Sequence, residues 1–512
     1  MNFRETLVAI ATLAAIGALV VACGGGGTQE VNSGVVIQNA TIVNTRDGSL
    51  ITGKSVVLQA GKIQSITDGP VQVTGTAVAI DATGKYVVPG FLDMHTHTID
   101  AVDLPVTNFP LLIANGITGV REMRGSADLV QRVKKLNADS AAGVVDAPEV
   151  LLIPGEIFTG VPPASTVAAA ATAQVQQQIA YGASFIKVLN VNREASLAVL
   201  AQAKAQGSTV AGHLSPALSA VESSNNGWRA IEHLGSGIGI LLDCAGEEDA
   251  VRAALLRGEG GVTPPLPPTW GASPLSAPLY QRVLTSYDVS KCNAMAQTFA
   301  KNQTWVVPTL TRLRTQHYVS DSAYRTDPNL IYVSKSIRAA WEAAAVRFTT
   351  NTPASAVTTF RSYYALQESL PKLLKLNGVK LLAGSDTANI ANWVIPGFSL
   401  HQEFALLAAS GLSPLDILQM TTLNGAQFLN RETTMGTVET GKNADLVVLD
   451  ANPIESAANL DKIFAVVLKG KYFSSAALAK LKSDVATAYS AQPAPTSAAV
   501  HALELAARDH TD

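Results

Sequence analysis

Apolar residues fall along this chain in two rhythms. From Gly34 to Ile80 they come in short β-rich runs, separated by glycines and by Asp-Gly or Ala-Gly pairs: Val35-Val36-Ile37, then 40–43, 55–58, 62–66 and 77–80. Such spacing predicts a meander of small antiparallel strands. The same texture returns at Gly436-Thr437-Val438, 441–445, 446–449 and 463–468. The two ends are therefore expected to pair into one small β-sandwich, residues 34–86 with 430–473. Between them the pattern becomes strand, loop and helix in alternation. Apolar strand candidates lie at 86–91, 119–122, 149–153, 185–189, 208–211, 230–232, 305–307 and 380–382. Helical patterns such as 194–205 and 363–376 lie between them, the latter expected to break or restart at Pro371. Eight strands in such alternation predict the α/β class, as a parallel (β/α)8 TIM barrel over residues 87–429.

One region is too long for a single strand and helix. Residues 243–357 carry a proline cluster (Pro264, Pro265, Pro267, Pro268) and a helical stretch at 330–348. They are read as an insertion over the mouth of the barrel. The alanine-rich tail, 474–512, is expected to be helical in two pieces broken at Gln492-Pro493-Ala494-Pro495.

The N-terminus changes the picture of where the chain resides. Arg4 precedes an apolar run at 7–22, and Val20-Val21-Ala22-Cys23 is followed by four glycines. So short a run with a small residue before the break reads as a signal peptide rather than a spanning helix. Its ending resembles a bacterial lipobox. That resemblance implies a signal peptide over 1–22, lipid on Cys23, a Gly-rich tether over 23–33, and an extracytoplasmic protein anchored to a membrane by acyl chains. An ordinary secretory signal or an uncleaved anchor is the alternative. With 37 basic and 40 acidic residues and no basic stripe, nucleic acid is excluded as a partner. The two remaining cysteines, Cys244 and Cys292, lack the spacing of a zinc site, and an oxidising compartment would permit a disulfide between them.

Chemistry concentrates at the strand ends. His95 and His97 close an apolar run one residue apart, and positions i and i+2 of a strand face the same side. His213 follows Val210-Ala211-Gly212, His233 follows Ala230-Ile231-Glu232, and Asp386 follows an apolar run ending in Gly384-Ser385. Lys187 lies inside the run 185–189. A lone histidine is ordinarily a satisfied core or surface residue. Two single histidines, an aspartate and a His-Thr-His pair at strand ends of one barrel are accounted for most economically by a divalent metal.

Val88-Pro89-Gly90-Phe91 before His95-Thr96-His97, Asn115-Gly116-Ile117-Thr118, Gly384-Ser385-Asp386, and Gly436-Thr437-Val438 through Ala444-Asp445-Leu446-Val447 together resemble the amidohydrolase superfamily. The imidazolonepropionase-like and prolidase-like members are the most similar subgroup. The resemblance runs from Gly34 to Lys471 in the same order and implies the same barrel and bracketing sandwich. It implies two zinc ions, the first held by His95, His97 and Asp386, the second by His213 and His233. Lys187 would be a carboxylated bridge between them, since a free ammonium cannot ligate a metal. Otherwise Lys187 snorkels or pairs with an acid, and one ion remains. Metal-bound hydroxide would attack the carbonyl of a small amide or peptide, and Asp386 would carry the proton to the leaving nitrogen. Arg121 would bind a substrate carboxylate or pair with Glu122 or Glu156. Arg312, His317 and Tyr318 would line the pocket or polarise the carbonyl, and Trp393 and His401 are lesser candidates. Two alternatives stay open: hydrolysis of a lactone, ester or cyclic amide at the same site, and a tethered binding lipoprotein without catalysis.

Overall fold

The computed structural model describes residues 29–99, 104–159, 167–260, 273–387 and 393–509. The expected signal peptide over 1–22, Cys23 and the proline cluster at 264–268 lie outside the described residues. No helix among those described is long and apolar enough to cross a membrane.

The two ends of the chain meet in one mixed eight-stranded sheet. Tyr86–Pro89 sits at its middle, antiparallel to Leu446–Leu449 and parallel to Val35–Val43. The sheet curls, so that Lys62–Asp68 at one edge comes back against the segment before Leu446–Leu449, with Ile63 and Ala444 donating their amides to the carbonyls of Lys442 and Gly61. Ile37, Val56, Ile63, Val87, Val448 and Val467 fill the inside of the curl. A short ribbon of Glu30–Val31 and Gln72–Val73 packs against Val36 and Val57. The expected sandwich of two facing sheets is thus one curled sheet with a ribbon beside it.

The remaining strands are parallel. Phe91–Thr96, Ile117–Glu122 and Glu149–Leu152 form one sheet. Ile186–Val188, Val210–Gly212, Trp228–Glu232 and Trp305–Val307 form another. Single parallel bridges join them, Pro154 to Phe185 and Phe158 to Val188 on one side. On the other side Val306 bridges to Leu381 and Thr387 to Thr96. The pairing therefore returns to its first strand, through interrupted ladders rather than one closed sheet. The arrangement is α/β and consistent with a TIM barrel. Inside it, Leu92, Met94, Met123, Phe185, Trp305 and Leu382 share one buried cluster with Phe428.

Several expectations need correcting. The first parallel strand is not 86–91. Tyr86–Pro89 belongs to the curled sheet and Phe91–Thr96 to the parallel one, with Gly90 as the joint, its amide bonded to the Asp445 carbonyl at 2.8 Å. Residues 243–357 are not a single insertion, because Trp305–Val307 within them pairs with Trp228–Glu232. The helical stretch there runs over Lys335–Asn351. Pro371 does not break its helix, which continues over Ala354–Leu376. Leu370, Pro371 and Leu374 are all buried there, so packing offsets the one lost backbone bond. Cys244 and Cys292, both buried, are joined by a disulfide with Cα atoms 4.6 Å apart. The tail forms helices Ser475–Ser490 and Ser497–Asp509.

Gly212, just before His213, has φ of +137°, and a Cβ there would lie 1.9 Å from the Val188 carbonyl oxygen. Neither backbone can yield without opening the ladder between the two strands. Gly212→Ala should therefore destabilise the fold by about 3 kcal/mol in urea unfolding.

Candidate metal centre

His95 and His97 stand at the end of Phe91–Thr96, and Asp386 at the end of the bridged segment beside it. The Asp386 amide donates to the His95 carbonyl at 2.9 Å, which fixes the two chain segments side by side. Asp386 Oδ1 then lies 3.2 Å from His97 Nε2 and 3.5 Å from His95 Nε2. One ligating atom from each of His95, His97 and Asp386 falls within 4.8 Å of the others. All three residues are buried. Two imidazoles and a carboxylate are a donor set that suits zinc and similar divalent ions.

The surrounding bonds aim these donors. His95 Nδ1 lies 2.8 Å from Glu232 Oε2, so Nε2 is the nitrogen turned toward Asp386. Glu232 Oε1 accepts from Arg121 Nη2 at 2.6 Å, and Arg121 Nε donates to the Met94 carbonyl at 2.7 Å. This buried relay is the carboxylate–histidine arrangement that orients metal-binding imidazoles. Asp93 ties the Asp386 segment to the first strand, accepting from the Ser385 amide at 3.0 Å and the Ser385 hydroxyl at 2.5 Å. Burial raises the Asp93 carboxyl to about 7. Glu122 accepts from the Thr98 amide at 2.8 Å and the Thr96 hydroxyl at 3.0 Å, on either side of His97.

The second pair of histidines adjoins the first. The rings of His95 and His233 are 4.3 Å apart, and those of His233 and His213 are 5.0 Å apart. His233 Nδ1 lies 2.5 Å from Thr309 Oγ1, and its Nε2 has no hydrogen-bond partner among the described residues. Burial, with the nearby Arg312, His95, His213 and Lys187, holds His233 well below the usual histidine range. It is thereby kept in the neutral form that ligates metals. Lys187 is wholly buried on Ile186–Val188. His233, Thr309 and Asp386 all have positive φ, at 53°, 43° and 61°. Such strain in side-chain-bearing residues gathers at functional sites.

Some of the other candidates sit elsewhere than expected. Arg121 does not face the mouth of the site, nor pair with Glu122 or Glu156. It is fully buried, inside the parallel strands, between Glu232 and the rings of Phe185 and Phe428. His317 lies in an aromatic cluster with Tyr280, Phe360, Tyr363 and Tyr364, where burial lowers it to about 4. Tyr318 is stacked by Arg314 and Arg361. Arg312 is at the centre, its Nε 2.7 Å from Asp386 Oδ2. Against burial, which alone would raise it, the His97 bond and the charges of His95 and Arg312 hold the Asp386 carboxyl below its usual range. His401, within the helix Phe398–Ala409, donates from Nε2 to the Asn115 carbonyl at 2.9 Å in a part-buried contact. Its neighbour Glu403 receives the Thr311 amide at 2.7 Å, and burial raises its carboxyl to about 8. Glu232 and Glu403 carried no sequence motif. For Glu232 one signal existed: a carboxylate in an apolar strand needs a buried cation, and Arg121 sits in another such strand.

Residues 365–473 match the Amidohydrolase family. That stretch contains Asp386 and its neighbours, while the four histidines and Lys187 lie outside it. An adenine deaminase from Listeria welshimeri is 33% identical over 86 residues, 17% of this chain and 14% of the deaminase. The chain thus matches only a seventh of that relative's length. Among solved structures, a bottromycin amidohydrolase superposes with a TM-score of 0.66 at 20% identity, covering 89% of this chain and 90% of its own. A Xaa-Pro dipeptidase with methionine bound in its active site gives 0.58 at 17% identity, covering 86% of this chain and all of its own. These likenesses show the fold, and together with the family match they support the superfamily that the sequence motifs resemble.

Proposed function

We propose that this protein is a metal-dependent hydrolase that cleaves a C–N bond, amide or peptide, in a small substrate. The observation that carries it is the convergence of His95, His97 and Asp386 within 4.8 Å, at the ends of parallel strands. The family match over the Asp386 segment and the names of the relatives support the same reading. A divalent ion bound there would acidify a water and polarise a carbonyl. His95 and His97 would hold that ion, oriented by Glu232 and by the strand end. His213, His233 and Lys187, the last as a carboxylated bridge, would hold a second. Asp386 would take the proton of the attacking water at Oδ1 and deliver it to the leaving nitrogen, which cannot depart as an anion. Arg312 would steady the Asp386 carboxylate at Oδ2 and keep it ionised. The parallel strands would be the (β/α)8 barrel of this hydrolase and the curled sheet its companion domain. Cys23 carries the lipid that holds the enzyme at the outer side of a membrane.

Dipeptides, N-acyl amino acids and lactones, offered to the zinc-loaded chain, test the reaction class. Chelator-sensitive release of amine is expected. Lactone opening without amide cleavage would move the reaction to ester chemistry, and no turnover of any would leave a binding protein. Lys187→Ala should lower bound metal by about one equivalent per chain. Unchanged stoichiometry would remove Lys187 from the centre.

A further inference from the structure

A second feature adjoins the histidines. His213, whose ring lies 5.0 Å from that of His233, also lines a pocket of about 160 Å³. The pocket lies between the loops that follow His213 and His233 and the helices Glu248–Leu256 and Ala277–Thr285. Its apolar lining is Leu214, Leu218, Ile238, Leu242, Leu255 and Tyr280. The loop after His233 contributes Gly235, Gly237 and Gly239, which add wall without side chains.

The charged groups in this wall and two of its serines are engaged with the protein itself. Ser215 donates to the Val191 carbonyl at 2.6 Å, and Ser276 to the Ser273 carbonyl at 2.7 Å. The one arginine lining it, Arg252, has four acceptors: the carbonyls of Pro216 and Leu218 at 3.1 and 3.0 Å, Glu248 at 2.9 Å and Asp243 at 3.2 Å. Asp243 also accepts the Val221 amide at 3.2 Å. A substrate carboxylate would meet the Asp243 carboxylate and an arginine that Asp243 and Glu248 already neutralise. A substrate ammonium would have to leave water for an apolar floor, where an acid already bonded to Arg252 repays little.

We infer that this pocket is the specificity subsite of the hydrolase, and that it takes an uncharged apolar group, aliphatic or aryl, attached to the scissile amide. This rests on the hydrolase reading for the identity of the reacting bond; the preference for an uncharged group rests on the pocket alone.

Three probes of matched length test it: hexanamide, adipic acid monoamide (anionic at its far end) and 6-aminohexanamide (cationic there). Their affinities for the zinc-loaded full chain are read by ligand-observed NMR titration. Hexanamide should bind about tenfold more tightly than either charged probe. Leu255 lies on the pocket wall, partly buried, on a helix that carries none of the histidines. Leu255→Asp should erase that preference and shift selectivity toward the cationic probe, and Leu255→Lys toward the anionic one. Equal binding of the three probes, or binding of none, overturns the proposal, and does so on the unmodified protein even if neither variant folds. Selectivity that neither folded variant moves overturns it as well. Chelator-sensitive amide hydrolysis, measured on the same samples, separates the two readings. If hydrolysis persists without probe selectivity, only the subsite fails. If selectivity persists without hydrolysis, only the hydrolase fails.

Discussion

Asp386→Asn should lower kcat/KM for amide hydrolysis by about three orders of magnitude, with a folded protein retained. The choice of asparagine follows from the backbone. Asp386 has φ of 61°, a conformation that asparagine tolerates about as well as aspartate and alanine does not. The side chain keeps its shape, so the loss is chemical. An amide cannot take a proton from water at Oδ1, where His97 and His95 nitrogens stand 3.2 and 3.5 Å away. General acid–base transfer alone is worth about 10²–10⁴ in rate. A metal ligand is weakened by the same change, so the effect should fall mainly on kcat and partly on metal affinity. Steady-state kinetics at saturating zinc separates the two. A loss below about tenfold would mean that Asp386 does not carry the proton.

Glu232→Gln should cost about 3–5 kcal/mol of stability and weaken metal binding by about 10–100-fold. Glu232 is fully buried and binds two groups at once, His95 Nδ1 at 2.8 Å and Arg121 Nη2 at 2.6 Å. Removing its charge leaves the Arg121 guanidinium uncompensated inside the protein, which explains the stability term. It also leaves the His95 ring without its anionic partner, which explains the metal term. The two effects should separate in the double variant Arg121→Met, Glu232→Gln. Stability should recover, because the orphaned charge is gone, while metal affinity should not. Urea unfolding and a zinc titration read the two quantities. If stability and affinity recover together, Glu232 acts on the centre only through the fold.

Much of this arrangement was legible in the sequence, because it depends on periodicity and on residues with few alternatives. His95 and His97 read as a pair because a strand repeats every two residues. His213, His233 and Asp386 read as strand-end groups because apolar runs precede them. What stayed hidden depends on contacts between distant segments. Pro89-Gly90 is a sign that the chain changes sheets there, but the apolar run crosses it without a break, so Val87-Val88 read as part of the parallel strand. Arg121 looked like a residue of the mouth because strand-end arginines often are. Its alternation on Ile117–Glu122 in fact carries it inward, to Glu232. Pro371 looked like a helix stop because local propensity says so, and tertiary packing overrode it. Glu403 was hidden for a related reason: its role is to receive a backbone amide of another helix, and no spacing records that.

Metal content tests the centre most directly. The purified full chain, loaded with zinc and freed of excess, should retain zinc at stoichiometric level by plasma mass spectrometry, and His97→Ala should lose most of it. Chelation should abolish amide hydrolysis, and added zinc should restore it. A chain that binds no divalent ion, or one whose hydrolysis survives both chelation and His97→Ala, would contradict a metal centre built on His95, His97 and Asp386.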